Sequence, residues 1–414
     1  MHIYFILISF ILSVLANKQR TYIKNLNGFY GLIGPDIKTD KIHSLFDLFI
    51  GNGVVQGVFF DRGNVTFIRN HIQTKKWLHE TKHGKLPTNK LAVLFLLCLQ
   101  YCNLAPNLFG AANTALLPIN NTMLALFERD SPYEIKIDFD AKRIRTLGHI
   151  DAGHHYSGHS KYNASSKLIE TISYNVLKRT VDYYCIAENF TMINKTTVKT
   201  QHFPIVHDFL VLQNDILFCD SAIPICPRLQ KPSVALVHLV NKHTFEKRQF
   251  TIPHNYYIFH YAYAKECEDV IEIFAPMYEN LDFSTIHIHG KYRKLRIFKG
   301  SPTVEIITNP ELEKYNLDFP VCYKDLVILR NICDMKINGF VFCRELAIVN
   351  TIFFEKRFIC GEPAVGDGKL ISLAYDEFGK GYLLFIDLET YEKFEIPLFE
   401  NLTIGFHSIF MNNE

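Results

Sequence analysis

Of 414 residues only one is tryptophan and six are methionine, although phenylalanine (34) and tyrosine (21) are plentiful. That bias suits strands, because aromatic rings pack well on a pleated surface. Neither sign of charge prevails: 44 Lys and Arg stand against 42 Asp and Glu, for a net charge of +2. With no Lys/Arg run either, there is no electrostatic footprint for nucleic acid, and none is expected as a partner. Ten cysteines are present without a single C-x-x-C pair, which excludes the paired zinc and thioredoxin-type motifs. The chain also lacks a G-x-S-x-G elbow, a P-loop and a dinucleotide fingerprint, so the chemistries that rest on them have no foothold.

The first apolar stretch, Ile3 to Ala16 in MHIYFILISFILSVLA, is short for a bilayer span. Val14 and Ala16 resemble the small-residue pattern of a signal cleavage site, although no Lys or Arg precedes the stretch. Residues 1–16 are therefore expected to be a signal peptide, placing the protein in the secretory pathway (ER lumen or secreted). If they are not, it is cytoplasmic. Six N-x-S/T sites, at Asn64, Asn120, Asn163, Asn189, Asn194 and Asn401, agree with a glycoprotein. Disulfides are open to such a protein, but their pairing cannot be read from irregular spacing. Residues 17–414 are expected to form one domain, since all-β propellers and barrels stay single at this length.

Short strands separated by turns dominate the rest of the chain. VVQGVFF (54–60) and NVTFIRN (64–70) flank Asp61-Arg62-Gly63 and predict a hairpin. KLISLAY (369–375), YLLFID (382–387) and KFEIPL (393–398) predict a meander; YEIKIDF (133–139) with RIRTLG (143–148), and FLVLQNDILFCD (209–220), repeat the design. Such units point to an all-β propeller or large barrel. No period is sharp enough to count blades. One segment breaks the rhythm: after a polar loop, HETKHGKLPTN (79–89), residues 90–109 are apolar nearly all round and read as a helix, either an ordinary core helix or one lying in a membrane interface.

PIVHDFLV (204–211) places His207 in the middle of an expected strand. A lone histidine there is ordinarily a core side chain with one hydrogen-bond partner. A metal ligand needs company. His159 (YSGHSKYN), His260 (YYIFHYAYA) and His407 (TIGFHSIF) share the setting, beside predicted strands and among aliphatic or aromatic neighbours. Four ligands from four distant strands are what a metal on a propeller axis requires. An all-imidazole set with open positions suits zinc, copper or iron and points toward redox or oxygen chemistry. His154, His155, His254, His287 and His289 are read as surface or strand positions.

LNGFYGLIGPD (26–36), IHSLFDLFIGNGVVQGVFF (42–60), GAANTALLPINNTMLALFERDSPYEI (110–135) and the four histidine contexts follow in order over residues 25–412 and together resemble the carotenoid cleavage oxygenase family. LNGFYGLIGPD (26–36) is similar to its G-x-x-x-R-x-G-P-N-P segment. IHSLFDLFIGNGVVQGVFF (42–60) resembles its H-x-F-D-G-D-G-M-V-H-G-V-x-F stretch, with the acidic turn altered. GAANTALLPINNTMLALFERDSPYEI (110–135) resembles the A-N-T…L-L-A-L-x-E-G-x-P-Y-E-L run, and the four histidine contexts follow the family's S-A-H-P-K, I-H-D-F, F-H and G-F-H. The resemblance implies a seven-bladed β-propeller capped by a few helices and loops, with a non-haem Fe(II) held by His159, His207, His260 and His407. It implies outer carboxylates at Glu128, Glu362 and Asp318, the last standing in L-D-F-P where the family has E-F-P. Such carboxylates take the far N–H of a ligating imidazole and fix its tautomer. The missing methylene withdraws the group by roughly 1.5 Å, enough to require a water bridge or a backbone shift. Iron binding is expected to survive, weakened.

The family adds both atoms of O2 across a polyene C=C and releases two carbonyl products. Thr114 matches the threonine beside its open iron position. The resemblance also implies that residues 90–109 dip into one leaflet, so that an apolar polyene is drawn from a peripheral membrane surface. Alternatives within the fold are a stilbene cleaver, against which Phe127 counts because a lysine stands there in those enzymes, and a retinoid isomerohydrolase, against which Thr114 counts. Outside catalysis lies a weakened propeller acting as a binding protein, favoured by Asp318, by Tyr263 where the family has Asn, and by the altered turn at 47–53.

Overall fold

The computed structural model describes residues 22–38, 41–86, 92, 95–96, 99, 108–120, 122–151, 153–223, 234–279, 281–332 and 338–413. The expected signal peptide lies outside them, as does most of the 90–109 segment. Among the described residues, no helix is long and apolar enough to cross a membrane.

Seven antiparallel sheets, six of four strands and one of five, form a seven-bladed propeller. Five blades are meanders of consecutive hairpins; in the five-stranded one Phe358–Ile359 and Ala364–Gly366 both pair with Lys369–Tyr375, and the remaining blade closes the ring. There the last strand, Ser408–Asn412, pairs with Gly28–Pro35 in the register Tyr30↔Phe410, and the sheet continues through Gly53–Asp61 and Asn64–His71. Joining the two chain ends in one sheet leaves no unpaired gap between first and last blade.

Blade strands read as near-continuous apolar runs because both faces are covered. In Gly28–Pro35, Phe29 and Ile33 pack against Met123, Ala125 and Ile135 of the following blade. Tyr30 and Leu32, on the opposite face, pack against Ile371, Leu373 and Phe385 of the preceding one. Period-two alternation thus divides each strand between two cores, and every pair of neighbouring blades encloses a separate cluster. An eighth cluster caps one end of the axis: Leu45, Leu48 and Phe49 of the helix Leu45–Ile50 lie on Tyr257, Phe259 and Tyr278.

Two segments depart from the sequence expectation. Residues 79–83 are not loop but the second half of a helix, Lys75–His83, begun by the Thr74 hydroxyl on Trp77 N–H and ended at Gly84 with φ +88°. The altered turn at 47–53 is also partly helical. Asp47 closes a capping box there with Ser44, which gives its carboxylate a local structural use. A short 3-10 turn lies at Leu312–Lys314, and the described residues Ala92, Phe95, Leu96 and Leu99 of the 90–109 segment are helical.

Candidate metal centre

Each blade delivers a candidate residue at or just before a strand at its inner edge, and Glu128, just after Thr122–Leu126, is a second one from the blade that carries Thr114. Thr114 precedes Ala115–Ile119, His159 precedes Lys161–Asn163, His207 precedes Leu210–Val211, and His260 precedes Tyr263–Glu266. Glu362 precedes Ala364–Gly366, His407 precedes Ser408–Asn412, and Asp318 is the second residue of Leu317–Tyr323. Several of these first strands touch in succession, Ala364–Gly366 on Ser408–Asn412, that on Ala115–Ile119, and that on Lys161–Asn163. Radial geometry therefore gathers residues that are far apart in sequence.

PIVHDFLV corrects one expectation. Only Leu210–Val211 is strand; residues 203–209 are loop. Its apolar residues are strand-like because Val206 and Phe209 are buried (4% and 0% exposed), not because the backbone joins a ladder. Its carbonyls go to side chains instead: Ile205 C=O accepts from the Tyr257 hydroxyl at 2.8 Å, and His207 C=O accepts from Ser157 Oγ at 3.1 Å.

The four histidines converge. One nitrogen from each lies within 4.8 Å of the others, and His159 Nε2 faces His207 Nε2 at 3.0 Å. A first-row metal bound to imidazole at about 2.1 Å requires neighbouring nitrogens roughly 3–4 Å apart; the His159–His207 pair has that spacing, and the whole set lies within 4.8 Å. His260 Nε2 is buried with no hydrogen-bond partner among the described residues. An orphaned lone pair inside a nest of imidazoles fits a cation.

Outer nitrogens face carboxylates. His260 Nδ1 is hydrogen-bonded to Asp318 Oδ1 at 2.7 Å, so the shortened residue reaches its partner directly, without a bridging water. The strand adjusts to allow it: pairing slips between Asp318 and Val321, and Phe319 adopts φ +53°. Asp318 Oδ2 accepts from the Tyr278 hydroxyl. Glu128 Oε1 stands 2.8 Å from His207 Nδ1 but off the line of a hydrogen bond. Glu362 Oε2 stands 3.3 Å from His407 Nδ1 and accepts Ser408 N–H at 3.1 Å. His159 has only Asp208 Oδ1, at 3.9 Å from its Nδ1.

Burial together with the other three imidazoles holds the His159 pKa well below the ordinary histidine value. Burial likewise lowers His407 against the opposing charge of Glu362. Both offer neutral rings with a free lone pair, as metal ligation requires. Burial also pulls on His260, but the charge and hydrogen bond of Asp318 outweigh it and its pKa is raised.

Residues that the sequence reading did not single out tie the loops together, although Ser157 and Asp208 sit inside the matched histidine contexts. Ser157 Oγ accepts His159 N–H at 3.0 Å while donating to His207 C=O. Asp208, 3% exposed, accepts Tyr261 N–H beside His260 and the Lys161 ammonium beside His159, at 3.0 and 2.8 Å. Gly158 has no room for a side chain, since a Cβ there would lie 2.5 Å from Thr114 Cγ2 and 3.3 Å from Glu128 Oε1. Tyr263, by contrast, stacks on Phe274 at 4.5 Å in the wall of its blade.

His207, His260, His407 and Thr114 open onto a cavity of ≈ 580 Å³, walled by Ile42, Leu45, Phe49, Phe259, Phe319 and Phe358 among others. His287 and His289, expected as plain surface or strand positions, also line it. A smaller chamber of ≈ 220 Å³, lined by His159, Lys161, Asp208 and Glu362, shares His260 and His407 with it.

Residues 24–330 match the model of the retinal pigment epithelial membrane protein family. The chain belongs to this family, the carotenoid cleavage oxygenases. Among curated relatives, a carotenoid 9,10(9',10')-cleavage dioxygenase 1 of Arabidopsis thaliana is 25% identical, covering 94% of this chain and 85% of the relative. The corresponding Crocus sativus dioxygenase is 24% identical over 94% and 84%. Among solved structures, Synechocystis apocarotenoid oxygenase superposes with a TM-score of 0.74 at 17% identity, and Pseudomonas brassicacearum lignostilbene dioxygenase with 0.77 at 16%. Each comparison covers 94% of this chain and 93% of the other, and shares the fold.

Proposed function

We propose that this family member is a non-haem iron dioxygenase that cleaves a C=C bond of a carotenoid or apocarotenoid with O2, giving two carbonyl products. The observation that carries this reading is the convergence of four imidazoles, one with an orphaned nitrogen, at the inner end of an apolar cavity. A ferrous ion bound by His159, His207, His260 and His407 supplies the capacity to activate O2 for addition across a double bond. Asp318 orients the His260 ring by a hydrogen bond and keeps its lone pair pointed inward, while Glu362 and Glu128 place carboxylates beside His407 and His207. Phe49, Phe259, Phe319 and Phe358 hold the flat polyene and exclude water. Thr114, at the inner wall, restricts the space beside the histidines. Holding both reactants in one orientation contributes the proximity effect.

An apolar substrate has to leave a bilayer. The interfacial role of residues 90–109 and peripheral membrane association belong to the same proposal, as does entry into the secretory pathway. The six glycosylation-site asparagines are all exposed, which supports that entry.

The test is metal analysis of purified protein joined to a product assay. The proposal expects close to one iron per chain, lost in His260→Ala, and two carbonyl fragments from an apocarotenal. Iron-free protein of unchanged stability would favour a binding propeller. Fragments from a hydroxystilbene alone would move the substrate class to stilbenes.

A further inference from the structure

Arg330 is the anomaly of the cavity wall. It lies on the strand Leu326–Asn331, directly across from Asp318 in the ladder, is only 4% exposed, and lines the large cavity. Its guanidinium carbon sits 5.6 Å from the ring centre of Phe319 and 5.3 Å from that of Phe358. Those aromatic contacts support the cation's faces but accept none of its in-plane donors. Nε has no hydrogen-bond partner among the described residues.

Its polar surroundings do not complete it. The groups that act on its charge are Cys360, Tyr375, Asp318 and Tyr278. Burial raises Cys360 to about 12 and carries both tyrosines upward, so these three stay neutral. Asp318, opposite Arg330 in the ladder, turns its carboxylate to His260 Nδ1 and the Tyr278 hydroxyl. Both its oxygens are already engaged by those two partners. Charge balance with Asp318 would leave the guanidinium donors open, and a buried donor without an acceptor is costly. Asn316, another polar residue of the wall, is satisfied by Ile288 and Ile332 carbonyls and by Gly290 N–H.

We propose that Arg330 anchors a carboxylate at one end of the substrate, so that the preferred polyene is an acid and not a hydrocarbon. A planar guanidinium presents paired donors that match a carboxylate, and the apolar wall provides for the conjugated chain behind it. Phe319 lies between anchor and metal site, its ring 5.0 Å from that of His260, so the acid end rests beside the histidines. This assignment rests on the polyene reading above and adds the polarity of the substrate's end to it.

The test is equilibrium dialysis of the iron-loaded protein, under anaerobic conditions, with all-trans-retinoic acid and with its methyl ester. Charged hydrogen bonds of this kind predict that the wild type binds the acid about 10- to 100-fold more tightly than the ester. Arg330→Met is expected to abolish that advantage and leave the affinity for the ester in place; Arg330→Lys is expected to retain part of it. Equal binding of acid and ester by the wild type overturns the anchor without recourse to any variant. An undiminished acid advantage in Arg330→Met does the same. Failure to bind either compound overturns the polyene reading, and the anchor with it.

Discussion

Replacing Asp318 by glutamate, the residue found there in the family pattern, separates two views of the site. If the short side chain leaves His260 poorly supported, restoring the methylene improves the enzyme. The structure argues the reverse. Asp318 already meets His260 Nδ1 at 2.7 Å, its second oxygen is taken by Tyr278, and it is 3% exposed. The extra bond adds roughly 1.5 Å to a contact with no slack. Either His260 is driven inward or the carboxylate folds aside and abandons Tyr278. Overfilling of this kind costs about 1–3 kcal/mol of stability, and a disturbed outer partner costs about 10–100-fold in metal affinity or activity. Asp318→Glu is therefore expected to lower the melting temperature, reduce the iron retained against a chelator, and cut kcat/KM at least tenfold. Iron content, thermal unfolding and product formation are measured on the same preparations. Asp318→Asn, which conserves size, serves as control: it should unfold closer to the wild type while holding iron poorly. A glutamate variant that holds iron as well as the wild type and turns over faster would refute this reasoning.

Tyr278→Phe removes one donor to Asp318 and leaves the His260 bond in place, so it should lose about 1.5–3 kcal/mol of stability in chemical denaturation, with a smaller loss of iron than Asp318→Asn. Gly158→Ala inserts a methyl between Thr114 and Glu128; about 10–100-fold lower activity, measured as kcat/KM, is expected, and unchanged activity would mean that neither residue is held in place by that contact. Burial draws the Arg330 pKa down to about 10, and the cation is present only below that value. The preference for a polyene acid over its ester should therefore stay level from pH 7 to 9 and fade only above about 10. A preference lost around pH 6–7, the ordinary histidine range, would assign the anchor to an imidazole.

Hairpins were legible because their signal is local. Asp61-Arg62-Gly63 between two alternating runs, and the 369–398 meander, form as read. Blade number was not legible from residue identity, and strand lengths explain why: first strands run from two residues at Leu210–Val211 to seven at Leu317–Tyr323. No fixed repeat survives that variation. Burial and strand conformation were confused at His207 because both select valine and phenylalanine. Asp318 and Glu362 were placed by family resemblance, and Ser157 and Asp208 lay inside the matched histidine contexts without being singled out, whereas Tyr278 and Arg330 carried no mark at all. Asp208 reaches Lys161 across 47 positions of sequence, and Tyr278 reaches Asp318 across 40. Such pairings belong to the closed ring and to no local pattern.

That division of labour bears on how the site persists in a chain so diverged from its relatives. Stability resides between blades, in seven apolar clusters that exchange one large side chain for another at modest cost. Metal geometry resides in loops at the heads of the first strands and is transmitted by directed bonds, Ser157 between the His159 and His207 loops, Asp208 across three of them. The two sets share few atoms. A blade can therefore repack without moving an imidazole, while a hydroxyl or carboxylate lost from a loop disturbs two ligands and leaves the clusters intact. Asp318 joins both sets, because its strand kinks to present it and its partner Tyr278 belongs to the capping cluster. A change there should register in folding and in iron together, which makes it the position where the separation of the two is most sharply exposed.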